Sequence, residues 1–328
     1  MARAGLVLGA GGLTGQAYHA GVLAALEAEL GWDPRSAELV VGSSAGSLTG
    51  AALRLGVPAH DLAASALGTE LSAEGAFLAA FDQEGPEIPP FDARHALHGW
   101  RLPSVGLLAR TVRRPWEFRP SAAAATLLPA GFVDITGPAD TLAPHLGTEW
   151  PDGLWICAAR RSDGARVAFG RAGSPPAPLG RAVAASCAIP GYFSPVEIDG
   201  VEYVDGGVHS PTNADIVRNE GLDLVIVSSP MSAAHGRMRG ADAGIRWALH
   251  RRLDLEVRRL RRAGAEVVRI EPKSSTRTVM GVNAMADDRA GEVADAARSD
   301  TAAYLALPRV AARLAALPRN ARPRIPAR

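Results

Sequence analysis

The sequence predicts an α/β fold in which helices cover both faces of a central, mostly parallel sheet, giving three layers. The first fifty-five residues alternate strand, loop and helix twice, and short apolar runs suited to buried strands return between 154 and 270. Apolar residues make up 47% of the 328 residues, which is enough for a large core. A strand, a crossing helix and a second strand build a parallel pair, and successive units extend it into a sheet.

The first unit begins with a strand over Leu6–Leu8 and continues into a helix over Gln16–Leu30. The helix is indicated by apolar residues at helical spacing, among them Ala20, Leu23 and Leu26. Because the apolar run at the N-terminus is short and interrupted by glycine, it favours a first strand over a signal peptide. A glycine loop, "GAGGLTG", joins the two elements over Gly9–Gly15.

The second unit carries a G-x-S-x-G motif between a strand over Leu39–Val41 and a helix over Ala45–Leu55. Such a strand-to-helix turn holds its central residue in a strained conformation, exposed above the positive end of the following helix. Gly42 and Gly46 flank this turn and remove the Cβ atoms that would block it. The motif therefore predicts that Ser44 is a nucleophile.

The remaining regular elements come after a long proline- and glycine-containing stretch. The Asp199-Gly200 pair indicates a hairpin turn, and a long arginine-rich helix separates the last two strands. The expected strands are Leu154–Ala159, Arg166–Phe169, Val201–Val204, Leu222–Ser228 and Glu266–Ile270, and the expected helices are Leu179–Ser186 and Ala241–Ala263.

The glycine loop has three interpretations. A dinucleotide fingerprint is disfavoured because Thr14 stands where the third glycine belongs, and no acidic residue follows the second strand. Tight packing alone would also explain the glycines. The favoured interpretation is an oxyanion hole, since the loop and the serine turn meet at one edge of a parallel sheet. Gly11 and Gly12 would donate their N–H groups, with Ala10 as an alternative donor.

A serine nucleophile needs a proton acceptor, and the best candidate is Asp205 in an Asp-Gly-Gly turn. Asp205 follows an expected strand and is followed by Gly206 and Gly207. Taken alone, this tripeptide is better explained as an ordinary turn. A Ser-Asp-His triad completed by a downstream histidine is the rival arrangement, with His209, His235 and His250 as candidates.

The order of the three motifs resembles the patatin-like phospholipase family. The stretch "AVAASCAIPGYFSPVEIDGVEYVDGGVHSPTNADI" is similar to the segment around that family's catalytic aspartate. The resemblance covers the first ~55 residues and 154–230 well, and 57–150 hardly at all. It implies a lipid acyl-ester hydrolase with a Ser44–Asp205 dyad, an oxyanion hole at Gly11 and Gly12, and no metal or organic cofactor. The supporting motif glycines are Gly15, Gly42, Gly46, Gly206 and Gly207.

Two expectations qualify this assignment. An aspartate with a pKa near ~3.9 is a weak base, so the Asp205 site should be buried enough to raise the pKa. The family usually has Arg or Lys at the position of Thr14, so the resemblance supports an acyl-ester hydrolase more strongly than a phospholipase. The sequence leaves open the head group, the choice between hydrolysis and acyl transfer, and a non-catalytic lipid-binding role.

Because Ser44 and Asp205 must share a site, the sequence predicts a single domain over 1–315. Residues 57–150 would form a cap, and 316–328 a basic, proline-rich, disordered tail. Aromatic residues and arginines in 95–120 suggest peripheral membrane contact. The net charge of +1 gives no indication of a nucleic-acid partner. Two cysteines and no apolar run near ~20 residues favour a cytoplasmic protein of undetermined oligomeric state.

Overall fold

The computed structural model describes residues 2–76, 78, 131, 133–137, 140, 149–233, 243–318 and 323–324. Most of the predicted cap and the whole segment 95–120 lie outside the described residues, as does His235. The predictions of a cap and of membrane contact therefore stay predictions. Within the predicted tail, Arg324 donates a hydrogen bond to Glu38 and another to the carbonyl of Arg35.

Eight strands form one sheet in the order β5-β6-β3-β2-β1-β7-β8, with β4 also pairing with β3. The pairs β3–β2, β2–β1, β1–β7 and β7–β8 are parallel, whereas β3–β4, β3–β6 and β5–β6 are antiparallel. The strands are β1 (Ala4–Leu8), β2 (Leu39–Ser43), β3 (Leu154–Arg160), β4 (Arg166–Phe169), β5 (Val196–Ile198), β6 (Val201–Asp205), β7 (Leu224–Ser228) and β8 (Glu266–Ile270).

The helices of the described ranges pack on this sheet and on one another. They are α1 (Gly12–Leu30), α2 (Ala45–Arg54), α3 (Ala59–Leu67), α4 (Leu179–Cys187), α5 (Ala243–Arg262), α6 (Ser274–Met280), α7 (Ala290–Leu305) and α8 (Pro308–Leu314). In this part of the chain, none combines the length and the apolar character that crossing a bilayer requires.

Alternation along the strands divides the core between the two faces of the sheet. On β1, Leu6 and Leu8 belong to a cluster with α1 and α2, whereas Val7 belongs to a second cluster with Leu253 and Val257 of α5. All five side chains are buried, and each contributes about 1.5–3 kcal/mol to folding. The predicted three-layer α/β class with a mostly parallel sheet is confirmed.

Two element boundaries differ from the prediction in ways that affect the site. Helix α1 begins at Gly12 instead of Gln16, so the second half of the glycine loop is already helical. Strand β2 continues to Ser43, which places Ser44 directly after the last strand residue. The spacing of apolar residues could not locate the start of α1, because the first turn of a helix needs no core-facing side chain and its N–H groups have no intrahelical acceptors.

Strand β3 aligns the two motifs that the sequence singles out. Ser43 pairs with Cys157, and Asp205 pairs with the adjacent residue, Ala158. Strand β6 reaches this position through the predicted hairpin turn, in which Asp199 has φ 49° and Gly200 has φ 72°. Although 160 positions separate them in the chain, the serine turn and Asp205 are therefore neighbours along one strand.

Candidate active site

Ser44 has the strained backbone that its motif predicts, with φ 51° and ψ −123°. The predicted exposure of its side chain is wrong, because Ser44 is only 4% exposed. A non-glycine residue in such a backbone conformation costs about 1–3 kcal/mol and persists only where its surroundings fix it. Here the N–H of Ser44 donates to Ser186 Oγ at 2.9 Å, and Ser186 donates to the Cys157 carbonyl at 2.7 Å. The hydroxyl of Ser47 donates to the Ser44 carbonyl at 2.7 Å. Side chains from two helices thus hold the turn on both sides.

Gly46 is required by a close approach of two backbones. A Cβ atom there would collide with the carbonyl of Leu8, the last residue of β1. At Gly42, a Cβ atom would collide with the Gly46 carbonyl and lie 2.6 Å from Ser47 Cα. The motif glycines therefore let α2 start directly against β1 and β2.

Asp205 ends β6 and is 5% exposed. Burial raises the pKa of Asp205 to about 6, although hydrogen bonds with the Ser44 side chain and from the Gly207 N–H act to lower it. The Gly207 bond to Oδ1 is 2.6 Å long. The structure therefore brings the two predicted catalytic side chains together, and it meets the expectation that the Asp205 site is dry enough to make the carboxylate a stronger base.

The first four backbone N–H groups of the glycine loop fall into two pairs, of which the first is hydrogen-bonded to described residues and the second is not. The N–H of Gly9 donates to the Ser228 carbonyl at 3.0 Å, and that of Ala10 to the Pro211 carbonyl at 2.8 Å. The N–H groups of Gly11 and Gly12 donate no hydrogen bond to any residue that the structure describes. Ala10 is thus already committed, which leaves the other two predicted oxyanion donors.

His19 fixes the start of this loop and is not placed as a catalytic base. Its ring is fully buried, with Nε2 2.7 Å from the Gly9 carbonyl and Nδ1 2.8 Å from Ser228 Oγ. Burial lowers the pKa of His19 to about 4, so the ring is neutral. Because a carbonyl only accepts, Nε2 donates to Gly9 and Nδ1 accepts from Ser228. The neutral ring joins the loop to β7.

Thr14, where the family usually carries a cation, anchors the loop to the segment after α6. Its N–H and its hydroxyl both donate to the Ala284 carbonyl, at 3.1 and 3.4 Å. Ala284 also packs against Gly12, which has φ 63° and has no room for a Cβ atom on that side. Thr14 therefore holds the loop through neutral hydrogen bonds.

Two other candidate groups are engaged or inert. His250 on α5 contacts Glu271 through Nδ1 at 2.9 Å and faces Asp254 through Nε2 at 3.6 Å. Burial raises the pKa of Cys187 to about 12, so its thiol is not a nucleophile at neutral pH. Of the described histidines proposed for a triad, His209 is the one left to test.

The residues that support the site, Ser47 among them, were missed by sequence reasoning. Besides Ser186, the buried Asn213 donates through Nδ2 to Ser43 Oγ at 2.9 Å and to the Gly206 carbonyl at 3.2 Å. Glu256 on α5 is fully buried and holds the segment that contains Asn213. A signal for Glu256 exists in the sequence, because helical spacing places it beside Leu253 and Leu260 on the apolar stripe of an arginine-rich helix.

Comparison with known proteins identifies the family. A family model described as "Patatin-like phospholipase" matches residues 6–218, well over half of the chain. The chain belongs to the patatin-like phospholipase family. The match spans the glycine loop, Ser44 and Asp205, and membership implies a lipid acyl hydrolase. Among solved structures, the chain is similar to VipD from Legionella pneumophila, with 15% identity, a TM-score of 0.40, and coverage of 93% of this chain and 67% of that one. No curated protein matched.

Proposed function

We propose that this patatin-like protein hydrolyses a lipid acyl ester through an acyl-enzyme, with Ser44 as nucleophile and Asp205 as general base. The observation that supports this most directly is the strand register, in which the serine turn and Asp205 lie beside adjacent residues of β3. Asp205 is buried there, and burial raises its pKa to about 6. At pH 7–8 such a carboxylate is ionised, yet it holds a proton more tightly than an exposed aspartate does.

The chemistry follows from these positions. Ser44 Oγ attacks the ester carbonyl while its proton passes to Asp205. The carbonyl oxygen, now negative, accepts hydrogen bonds from the N–H groups of Gly11 and Gly12, each worth about 3–4 kcal/mol in the transition state. Asp205 returns the proton to the departing alcohol, which leaves the acyl group on Ser44. Asp205 then deprotonates a water that cleaves the acyl-enzyme, and the proton goes back to Ser44.

Labelling by a fluorophosphonate tests the nucleophile without assuming a substrate. We expect the wild-type protein to be labelled covalently and Ser44→Ala to give no label, because the probe reacts with an activated serine. Ser162→Ala is the matched control and should be labelled as the wild type is, since Ser162 is an exposed serine in the turn between β3 and β4. Equal labelling of the wild type and Ser44→Ala would mean that another residue is the nucleophile. No label in the wild type would contradict the proposal and favour a lipid-binding module.

The pH dependence tests the base. Because Asp205 must be ionised and its pKa is raised to about 6, we expect kcat/KM on a soluble ester to fall about tenfold per pH unit below that value and to be level above it. The rate of fluorophosphonate labelling should follow the same limb. A limb near the ordinary aspartate value, or a limb that His209→Ala moves, would count against this assignment.

A further inference from the structure

A cavity of about 900 Å³ lies at β8, the last strand of the sheet, and none of the proposed catalytic residues lines it. Tyr18 of α1 and Ile270 of β8 are buried residues at its base. Its walls come from α5, α6, α7 and α8. The cavity is therefore a depression with walls from four helices, open to solvent on one side.

The cavity is strongly cationic although the protein as a whole is nearly neutral. Seven arginine and lysine side chains line it, against the three carboxylates of Asp254, Glu271 and Asp300. Glu266, just outside the cavity, pairs with the lining residue Arg313 at 3.1 Å, so seven cations face four carboxylates. The resulting excess of three positive charges compares with +1 for the whole chain. Like charges held this close repel one another, and a bound anion relieves that repulsion.

The three carboxylates already have partners in the walls. Asp254 pairs with Arg269, Glu271 with His250 at 2.9 Å, and Asp300 accepts from two hydroxyl groups of α6. Among the cations, Arg313 pairs with Glu266 at 3.1 Å and Lys273 faces Asp300 at 4.0 Å. Arg309, in contrast, forms no hydrogen bond or ion pair with a described residue, and the Nε–H of Arg277 is buried without an acceptor in the same ranges. The cavity therefore holds cationic hydrogen-bond donors that have no acceptor among the described residues.

Two phenols add neutral donors. Tyr18 and Tyr304 both line the cavity. Burial raises the pKa of each, and for Tyr18 the nearby Glu271 and Asp300 raise it further. Both hydroxyls therefore stay protonated at any physiological pH and can donate to an oxyanion.

We propose that this cavity binds a small, multiply charged, phosphate-bearing solute, and that the bound anion restrains the glycine loop of the active site. Guanidinium groups from several helices suit phosphate oxygens, which accept bidentate hydrogen bonds. A single carboxylate would neutralise only part of the excess charge. The same phosphate chemistry could be presented by a lipid head group, and the vesicle experiment below distinguishes the two sources.

Two contacts connect the cavity to the glycine loop. Tyr18 lies one helical turn after Thr14 on α1. Helix α6 begins at the cavity wall and leads to Ala284, whose carbonyl accepts both hydrogen bonds from Thr14. An anion that fixes α6 and Tyr18 therefore acts on both attachments of the segment that carries Gly12.

Calorimetric titration with inorganic pyrophosphate and with tripolyphosphate tests the site. We expect binding to the wild type that weakens at least about tenfold in Lys273→Gln/Arg309→Gln, because two cationic donors are lost. Lys273 and Arg309 are exposed, so the double variant should remain folded. Arg298→Gln, on α7 but outside the cavity, is the matched control and should bind as the wild type does. No heat in the wild type, or equal binding by all three proteins, would overturn the site.

Phosphatidylglycerol vesicles distinguish the other source of phosphate. If the double variant loses vesicle binding while pyrophosphate fails to bind the wild type, the ligand is a lipid head group and the solute proposal is wrong. Hydrogen exchange over residues 9–18 tests the coupling and needs no activity, so it stands even if the proposed hydrolase function fails. Pyrophosphate should slow exchange there in the wild type and not in the double variant. Unchanged exchange in the wild type with bound anion would refute the coupling.

Discussion

Asp205→Asn is expected to lower kcat by about three orders of magnitude and, at pH 8, to stabilise the folded protein. Loss of a positioned general base costs about 10²- to 10⁴-fold, and asparagine cannot take the proton of Ser44. The variant should fold normally, because an amide oxygen can still accept the hydrogen bond that the Gly207 N–H donates.

The gain in stability follows from the sign of the pKa shift. Burial raises the pKa of Asp205 from 3.8 to about 6, so the folded state binds this proton more tightly than the unfolded state does. Below the unfolded value both states are protonated and ionisation costs nothing. As the pH rises from 3.8 to about 6, the carboxyl ionises in the unfolded chain before it does in the folded one. Above this range, the buried charge lowers the free energy of unfolding by up to about 3 kcal/mol. Asparagine removes that cost.

Urea denaturation at pH 8 and at pH 4 measures this effect. The stability difference between Asp205→Asn and the wild type should be large at pH 8 and nearly vanish at pH 4. Asp215→Asn is a control of opposite sign. Although burial acts to raise the pKa of Asp215, Arg166 and Arg259 lower it to about 2, so that variant should lose stability at pH 8. If Asp205→Asn kept most of its activity while His209→Ala lost it, a triad would replace the dyad.

The two proposed catalytic residues could be found in the sequence because their local chemistry is unusual. One is a serine between glycines after a buried strand, and the other is an aspartate before two glycines. Both patterns are typical of a tight turn at the end of a strand. The parallel pairing of β1 with β2 followed from the same crossover reasoning, and it places both glycine turns at one sheet edge.

The supporting contacts could not be predicted, because each joins residues far apart in the chain. Ser186 reaches Ser44 across 142 positions, and Asn213 reaches Ser43 across 170. Serine and asparagine are common in loops, so neither identity marks a role. The antiparallel part of the sheet could not be predicted either. Hairpin turns show that successive strands pair, but they do not show that β6 pairs with β3 on the side opposite β2.

Glu256→Ala is expected to destabilise the protein by about 3–5 kcal/mol, because it leaves several buried donors without an acceptor. Glu256 is fully buried and accepts from Ser210 Oγ at 2.6 Å, from Thr212 Oγ1 at 2.5 Å and from the Ala214 N–H at 2.9 Å. All three donors lie in the segment that follows the Asp-Gly-Gly turn. The lost carboxylate also leaves a cavity beneath α5.

The same change should weaken catalysis in a way that a purely structural defect would not. Asn213 lies between Thr212 and Ala214, and its amide links Ser43 to the Gly206 carbonyl. When this segment loosens, water should enter beside Asp205 and relieve the desolvation that raises the pKa of that carboxyl. The acidic limb of kcat/KM should therefore move from near 6 toward the ordinary aspartate value, together with a lower kcat.

Glu256→Gln separates hydrogen bonding from charge. Its amide oxygen can accept from Thr212 and Ala214 while its NH₂ group donates to Ser210 Oγ, whereas the ion pair of Glu256 with Arg252 Nε at 3.4 Å is lost. We expect a loss of only about 1–2 kcal/mol and a nearly unchanged pH limb. Glu197→Ala, at an exposed position on β5, is the control for loss of a glutamate. Urea denaturation and pH–rate profiles of the three variants decide the matter. A Glu256→Ala protein as stable as Glu197→Ala, with its limb still near 6, would mean that the α5 carboxylate does not hold the base in place.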